Sequence, residues 1–177
     1  MPSGATPLHI AAKGGDKKTI DLLCKAGGNV SALNQDKRTP LHNCGITGNA
    51  KAAAALIQQG AAVDDADAEG CTPLVCAVMN NQAEVAKVLL SNGANPDVIL
   101  NTTDTHLSPL FFAAANGYTD LVRALIDKGA NVMAKVAGAP CPFEAAKHNG
   151  HEAAAKLLAA ALKHHRAGAK AEKADKA

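Results

Sequence analysis

Histidine and cysteine are the side chains of this sequence best suited to chemistry, because they act as general bases, nucleophiles and metal ligands. The sequence contains seven His and five Cys residues. Four residues separate Cys71 from Cys76, which is only a weak match to the spacing of zinc ligands. The histidine clusters, which lack enough companion ligands for a metal, are His148 with His151 and His164 with His165. The sequence therefore predicts no metal and no cofactor.

The sequence also lacks the motifs with which enzymes position reactive groups. It has no nucleophile elbow, no Gly-rich phosphate-binding loop and no pair of carboxylates at matching spacing. His9 and His42 lie in closely similar surroundings, but Val75, Phe111 and Glu144 stand at the corresponding later positions. A histidine is therefore not required at this position, and we predict that the protein is not an enzyme.

The segments that carry these histidines recur along the chain with a nearly constant period. Each begins at a pair of residues that ends in proline, and the pairs are Thr6-Pro7, Thr39-Pro40, Thr72-Pro73, Ser108-Pro109 and Cys141-Pro142. Successive pairs lie 33 residues apart, except that the third and fourth lie 36 apart. A fixed period of this size predicts a solenoid, whose open surface favours binding over catalysis.

Each repeat is predicted to form two short helices joined by a tight turn. A Thr or Ser hydroxyl can cap the helix start, and Pro at the first helical position loses no hydrogen bond. Residues that tolerate the positive φ of the turn follow at equivalent positions, and these are Gly15, Gly48, Asn81, Gly117 and Gly150. The second helix carries apolar residues on one face, as at Val85, Val88, Leu89 and Leu90.

This pattern resembles the ankyrin repeat, whose signature T-P-L-H-x-A-A is matched almost fully by residues 6–12. The G-A-x-V turn of that family is matched by residues 60–63 and 129–132. The resemblance implies an all-α solenoid of helix-turn-helix pairs with β-turn or hairpin fingers. It also implies that His9 and His42 bond the neighbouring turn and fix its shape. We expect one domain over residues 1–162, with repeats at about 4–36, 37–69, 70–105, 106–138 and 139–162.

Repeat two departs from the pattern, because Asn43 and Gly45 stand where apolar Leu and Ala are usual. Less apolar area would be buried there, so we expect a softer layer in which Asn43→Leu is neutral or stabilising. The turn between repeats three and four carries three extra residues within 98–107. This insertion is either an extended finger with a role in binding or a tolerated surface insertion.

Repeat five and the tail after it are also atypical. Glu144 replaces the signature His, and Leu162 replaces the Gly that should end the second helix, as expected of a C-terminal cap. Residues 163–177 contain five Lys or Arg and two Asp or Glu, which gives a charge of +3. This basic Ala/Lys-rich tail is predicted to be a helical extension or solvated disorder.

The composition narrows the class of partner and compartment. The net charge is +2, so the chain before the tail is near −1, and the absence of a basic stripe argues against nucleic acid. No apolar run approaches 20 residues, and the start has no secretory pattern. An odd number of cysteines is typical of small buried thiols in a reducing compartment. We expect an intracellular monomer, cytoplasmic or nuclear, that does not bind membranes.

The resemblance implies binding of another protein, as a scaffold, an adaptor or an inhibitor that masks its partner. Binding would use the concave face, at the finger tips and first helices, through Gln35, Asp36, Arg38, Ile46, Thr47, Ala68, Glu69, Met79, Asn80, Asp104, Thr105, Leu107, Ala115, Asn116 and His148. Ile46, Met79 and Leu107 would form an apolar centre, or would be singly exposed or packed inside. The alternatives are an assembly chaperone or inhibitor of a larger machine, such as a proteasome particle or kinase, and a structural segment of a larger polypeptide.

Overall fold

The computed structural model describes residues 4–99, 107–134 and 140–174. Its ten helices within these ranges are α1 (Pro7–Gly14), α2 (Lys17–Lys25), α3 (Pro40–Thr47), α4 (Ala50–Gln58), α5 (Pro73–Met79), α6 (Ala83–Ser91), α7 (Pro109–Ala115), α8 (Thr119–Asp127), α9 (Pro142–His148) and α10 (Glu152–Ala174). Each repeat contributes two consecutive helices, so the protein is the expected all-α solenoid. None of the described helices combines the length and the hydropathy needed to cross a membrane.

The helices begin where the sequence predicts, because the proline pairs place a cap and a preformed φ together. Thr72 Oγ1 accepts the Val75 N–H at 3.4 Å, and Ser108 Oγ accepts the Phe111 N–H at 3.1 Å. In repeat five Glu144 Oε2 accepts the Cys141 N–H at 2.8 Å. The residue that replaces the signature His there therefore still holds the start of its helix.

The turns between paired helices mostly follow the predicted pattern. Gly48 has φ 82° and Asn81 has φ 54°, both in the left-handed region. Gly15 is different, because its φ is −75° and its backbone is extended. The prediction of a positive φ at Gly15 was wrong, because α1 ends there in an extended residue rather than in a left-handed cap.

The core is a series of thin layers rather than one central cluster. The first helices pack in the order α1, α3, α5, α7, α9, and the second helices in the order α2, α4, α6, α8, α10. The largest apolar side chains at these joints are almost fully buried, and they are Leu8, Ile20, Leu41, Leu56, Leu74, Leu89, Leu110, Leu121, Leu125 and Leu158. Leu89 of α6 and Leu125 of α8 are both fully buried at these joints.

Repeat two is packed closely, which the sequence-based interpretation missed. A Cβ added at Gly45 would lie 2.5 Å from the Pro73 carbonyl oxygen and 3.0 Å from Cys76 Cβ. Asn43 is only 6 % exposed, and its Nδ2 donates to the His9 carbonyl oxygen at 3.0 Å. Gly45 therefore permits α3 and α5 to approach, and Asn43 links α3 to α1.

The last helix is longer than the second helices of the other repeats. α10 continues through Leu162, without the glycine that ends α2 and α4, and reaches Ala174. It is anchored by Ala154 and Leu158, which are both fully buried. α10 thus includes residues 163–174 of the predicted tail.

Leu89→Ala should lower the free energy of unfolding by about 2–5 kcal/mol, because the variant leaves a cavity between repeats. The matched control on the same helix is Lys87→Ala, since Lys87 is exposed and its ion pair is with the exposed Glu84. Urea denaturation followed by far-UV circular dichroism measures both. Equal midpoints for the two variants would contradict the layered core.

Asn43→Leu should destabilise the protein by about 1 kcal/mol, which reverses the expectation from the sequence. The substitution deletes the buried hydrogen bond to His9 and leaves leucine in a site shaped for an amide. Asn92→Leu is the control, because Asn92 is exposed and its side chain donates to the Val88 carbonyl of the adjoining helix. The same denaturation experiment would refute this account if Asn43→Leu proved neutral or stabilising.

Candidate functional site

The fingers that precede the second and third repeats are shaped by one side chain each. In finger one, residues 34–38, Asn34 Oδ1 accepts the N–H groups of Asp36 and Arg38, both at 2.9 Å. In finger two, residues 67–71, Asp67 Oδ1 accepts the N–H groups of Glu69 and Cys71, both at 2.9 Å. Local side-chain bonds of this kind replace the missing backbone partners of a turn.

The signature histidines fasten each finger to the preceding helix pair. The Thr39 N–H donates to His42 Nδ1 at 3.0 Å, so Nε2 carries the proton and donates to the Cys71 carbonyl at 3.0 Å. His9 makes the matching bond to the Arg38 carbonyl at 2.8 Å. Burial lowers the pKa of His42, although its bond to Cys71 acts in the opposite direction. The structural role that the resemblance implied for His9 and His42 is confirmed.

A partly buried ion pair joins the two fingers. Arg38 Nε donates to Asp67 Oδ2 at 2.9 Å, and the Arg38 side chain is 27 % exposed while that of Asp67 is 1 % exposed. The hydrogen bond to Asp67 raises the pKa of Arg38. Burial alone would raise the pKa of Asp67, but the bonds from Arg38 and from the finger N–H groups outweigh it and lower that pKa. Asp67 is therefore held as a carboxylate.

Arg38 also has a role within the fold. The sequence places it among the predicted binding residues, and the structure uses its guanidinium and its carbonyl to connect neighbouring repeats. The sequence signal was present, because Asn34 and Asp67 lie one period apart and five residues before each Thr-Pro pair. In sequence Asp67 is a polar turn residue like its neighbours, so the sequence alone does not reveal its pairing with Arg38.

The ends of the first helices form a row of side chains, which we call the inner row. It consists of Ile46-Thr47, Met79-Asn80, Ala115-Asn116 and His148. Met79 is 40 % exposed. Ile46 is half-buried and packs on a small apolar cluster of Cys71, Val75 and Cys76. Only Met79 therefore offers a large exposed apolar surface near the middle of this row.

The amides of the inner row are fixed by their own helices. Asn80 Nδ2 donates to the Cys76 carbonyl at 2.8 Å, and Asn116 Nδ2 donates to the Phe112 carbonyl at 2.8 Å. Each bond uses one of the two N–H groups of its amide, and no bond to either side-chain oxygen is found among the described residues. The row therefore presents polar groups beside Met79.

The full set of predicted binding residues divides by exposure. Those that are exposed are Gln35, Asp36, Thr47, Ala68, Glu69, Met79, Asn80, Asn116 and His148. Those that are half-buried are Arg38, Ile46, Leu107 and Ala115. Asp104 and Thr105 lie outside the described residues. The fingers place Asp36 next to Ala68, whose N–H donates to the Asp36 carbonyl at 2.9 Å.

The cysteines have the environment of packed thiols. Cys71 and Cys76 are 4 % and 5 % exposed. Burial raises the pKa of Cys76 to about 12 and raises that of Cys71 above its ordinary value. Thiols with raised pKa values are poor nucleophiles and poor metal ligands. Within the described ranges no three His, Cys, Asp or Glu side chains come together as metal ligands would.

Asp67→Asn should remove part of the acid sensitivity of the fold. Because the pKa of Asp67 is lowered on folding, its stabilisation is complete above its unfolded pKa of about 3.9 and is lost as the pH falls through the folded value. The loss of unfolding free energy relative to wild type should therefore be larger at neutral pH than below about pH 3. Urea denaturation over this range measures the difference.

Two features make this experiment specific to Asp67. The lowered pKa of His42 destabilises the protein below about pH 6.5, and the charge of Asp67 partly opposes that lowering, so the difference from wild type reports the Asp67 carboxylate both directly and through His42. Glu69→Gln is the control, because Glu69 is exposed in the same finger. A difference between Asp67→Asn and wild type that stays constant with pH would show that the carboxylate charge does not matter.

Comparison with known families gives a clear result. A model of three ankyrin repeat copies matches residues 8–99, and a model of a single ankyrin repeat matches residues 105–136. No curated protein matches the sequence. The first model alone covers more than half of the chain, and the helix pairs, fingers and histidine bonds have the arrangement that the signature implies. The chain belongs to the ankyrin-repeat family.

Proposed function

We propose that this protein is an interaction scaffold or adaptor that binds a partner protein across the inner row and the tips of the fingers. Ankyrin repeats are generally protein–protein interaction modules, and they are typically non-enzymatic. The observation that carries the proposal for this chain is Met79. It is exposed at the middle of the inner row, where packing does not require an apolar side chain.

The surroundings of Met79 support recognition of a protein surface. Interfaces commonly place an apolar anchor at the centre and polar groups at the rim. Here the polar groups are Thr47, Asn80 and Asn116 along the inner row, with Asp36 and Glu69 on the fingers. The fixed amides lose little side-chain freedom on binding, because their helices already orient them.

The same surface would serve an adaptor, an assembly chaperone or an inhibitor that covers its partner. These roles differ in what the partner does, so the identity of the partner distinguishes them. All five cysteines are free thiols, which supports the expectation of a reducing compartment inside the cell.

Met79→Ala should weaken binding of the partner by at least about 1 kcal/mol, or roughly fivefold in Kd, if Met79 is an interface anchor. The partner is identified by affinity capture on the purified chain with mass spectrometry and is then titrated calorimetrically. Asn80→Ala should have a smaller effect in the same direction. Arg38→Ala is uninformative alone, because it also breaks the pair with Asp67.

The controls lie on second helices, on the other side of each repeat. Lys87→Ala and Arg123→Ala change exposed residues of α6 and α8 and should leave Kd unchanged. If these variants lose binding while Met79→Ala keeps it, the binding surface is not the inner row.

A further inference from the structure

A row of exposed apolar side chains crosses the residues that lead into the fingers. Exposure alternates along residues 31–35 and 64–68, as expected of an extended chain whose side chains point to opposite faces in turn. The exposed set contains Leu33, Ala66 and Ile99. These three residues are spaced by 33 positions, so they hold the same place in three successive repeats.

This exposed set points away from the first helices. The alternate set includes Val98, which packs on the small apolar cluster that Ile46 also contacts. It also includes Asp67, whose carboxylate bonds within finger two. Neighbouring residues on an extended chain face the opposite side. We call that opposite side the finger back, and it consists of Leu33, Ala66 and Ile99 with Asp64 and Asp97.

The apolar row of the finger back has a large, a small and a large member. Leu33 is 56 % exposed and Ile99 is 51 % exposed, and Ala66 between them is also exposed. Because Ile99 lies between two inner repeats, the exposure belongs to this face of the stack and not to one end of it. The row is an exposed apolar patch with a depression over Ala66, which suits an inserted apolar side chain.

Two carboxylates accompany this row, and each lies two residues before one of its members. Asp64 accepts the Asn95 N–H at 3.2 Å, and Asp97 accepts the Asn131 N–H at 2.9 Å. These bonds to the next repeat hold both carboxylates in place. Neither carboxylate forms an ion pair among the described residues. The finger back therefore combines an apolar row with two ordered negative charges.

Few cations lie around these carboxylates. The last turns of α4 and α6, which lead to Asp64 and Asp97, contain no Lys or Arg. Arg38 is engaged by Asp67, and Lys37 lies in the turn of finger one. The other cations of the adjoining elements are one repeat away, and they are Lys25 at the end of α2 and Lys128 after α8.

The balance of charge along the fingers is negative. Residues 31–38, 64–71 and 97–99 together contain six Asp or Glu and two Lys or Arg, which gives a charge of −4. The two cations are both in finger one, whereas the carboxylates of the finger back are in the next two repeats. Charge complementarity therefore favours a partner with Lys or Arg beside its apolar residues.

The distance between neighbouring fingers selects the shape of the occupant. Packed helices lie about 8–10 Å apart, so successive members of the row are separated by about this distance. Seven residues of an α-helix span about 10.5 Å and return to nearly the same side. Three residues of a strand span about 10 Å, but they end on the opposite side. A helix therefore matches the row better than an extended segment does.

A second copy of this chain has the right charge for this surface but not the right apolar residues. Residues 163–174 of α10 contain four Lys or Arg and one Glu. Their largest apolar residue is alanine, which is too short to fill the depression over Ala66. The surface therefore suits a different protein.

We propose that the finger back docks a basic amphipathic helix of a partner protein. One apolar side chain of that helix inserts over Ala66 between Leu33 and Ile99, and Lys or Arg along one flank faces Asp64 and Asp97. This surface is separate from the inner row and goes beyond the proposed function, so the two can be tested independently.

The experiment uses the full chain and two synthetic helical peptides of about three heptads. Both peptides carry Leu at one position of each heptad and Ala elsewhere on that face. One has Lys along one flank of the leucines, and the other has Glu there. Binding is measured by fluorescence anisotropy. We expect the Lys peptide to bind at least about tenfold more tightly than the Glu peptide, and its advantage to shrink at high salt.

Variants of the apolar row locate the site. Leu33→Ser should weaken binding of the Lys peptide by about fivefold or more, and Ala66→Leu should weaken it similarly because it fills the depression. Both residues are exposed, so the melting temperature should not change. Leu22→Ser is the matched control, because Leu22 is an exposed leucine of α2 outside the finger back. Met79→Ala should also leave peptide binding unchanged, which separates this proposal from the inner row.

Variants of the carboxylates test the charge of the partner. Asp64→Asn combined with Asp97→Asn keeps an oxygen acceptor at each position but removes both charges. The preference for the Lys peptide should then fall severalfold. Asp120→Asn is the control, because Asp120 is an exposed acid on α8.

Four results would overturn the proposal. The first is that neither peptide binds or that both bind equally. The second is that Met79→Ala weakens binding while Leu33→Ser does not, which would place the peptide on the inner row. The third is that removing both carboxylates leaves the preference for Lys intact. The fourth is that light scattering shows a dimer that Leu33→Ser dissociates, which would assign the finger back to a second copy of this chain.

Discussion

A pair of short helices is too thin to bury its own apolar side chains, and this constraint shapes the whole protein. With aromatic residues at only 2 % of the sequence, no large side chain can fill a central core. Burial is possible only where one helix pair lies on the next, so each joint contains a leucine or isoleucine between small residues. Close approach of the helices then becomes essential, and glycine at position 45 is favourable because it lets α3 and α5 meet.

Apolar stacking does not fix the fingers, which contain mostly polar residues. Their shape comes from Asn34 and Asp67, and their position comes from the bonds of His9 and His42 to the next finger. The histidine bonds need a neutral imidazole, whereas the bonds that Asp67 accepts need an ionised carboxylate. The two groups lie close together. The environment provides both, because burial favours the neutral histidine while Arg38 and backbone N–H groups favour the charged Asp67.

Repetition made the fold predictable, because five proline pairs at a nearly constant spacing favour a single physical interpretation. The caps and the helix pairs followed from residues within one repeat, and the histidine bonds followed from the resemblance to the ankyrin repeat. What the sequence did not show were contacts between repeats. Asn43 and Gly45 suggest a loose layer when they are compared with a consensus, and only the register of α3 against α1 and α5 reveals why they fit. The proposed binding residues are harder to predict from the sequence. The exposure of Met79 and the ion pair of Arg38 with Asp67 both depend on how neighbouring repeats pack.

The bonds of the fingers have a consequence for the way in which the chain reaches its structure. The bonds from His9 to Arg38, from His42 to Cys71 and from Arg38 to Asp67 each join residues 29 positions apart. None of these contacts requires the two ends of the chain to meet. Forming each of them therefore closes only a short loop of the chain. Any adjacent pair of repeats contains everything needed to form one joint, and each new joint offers a finished surface to the next repeat. Assembly of the solenoid can therefore begin at any joint and advance in either direction along the chain.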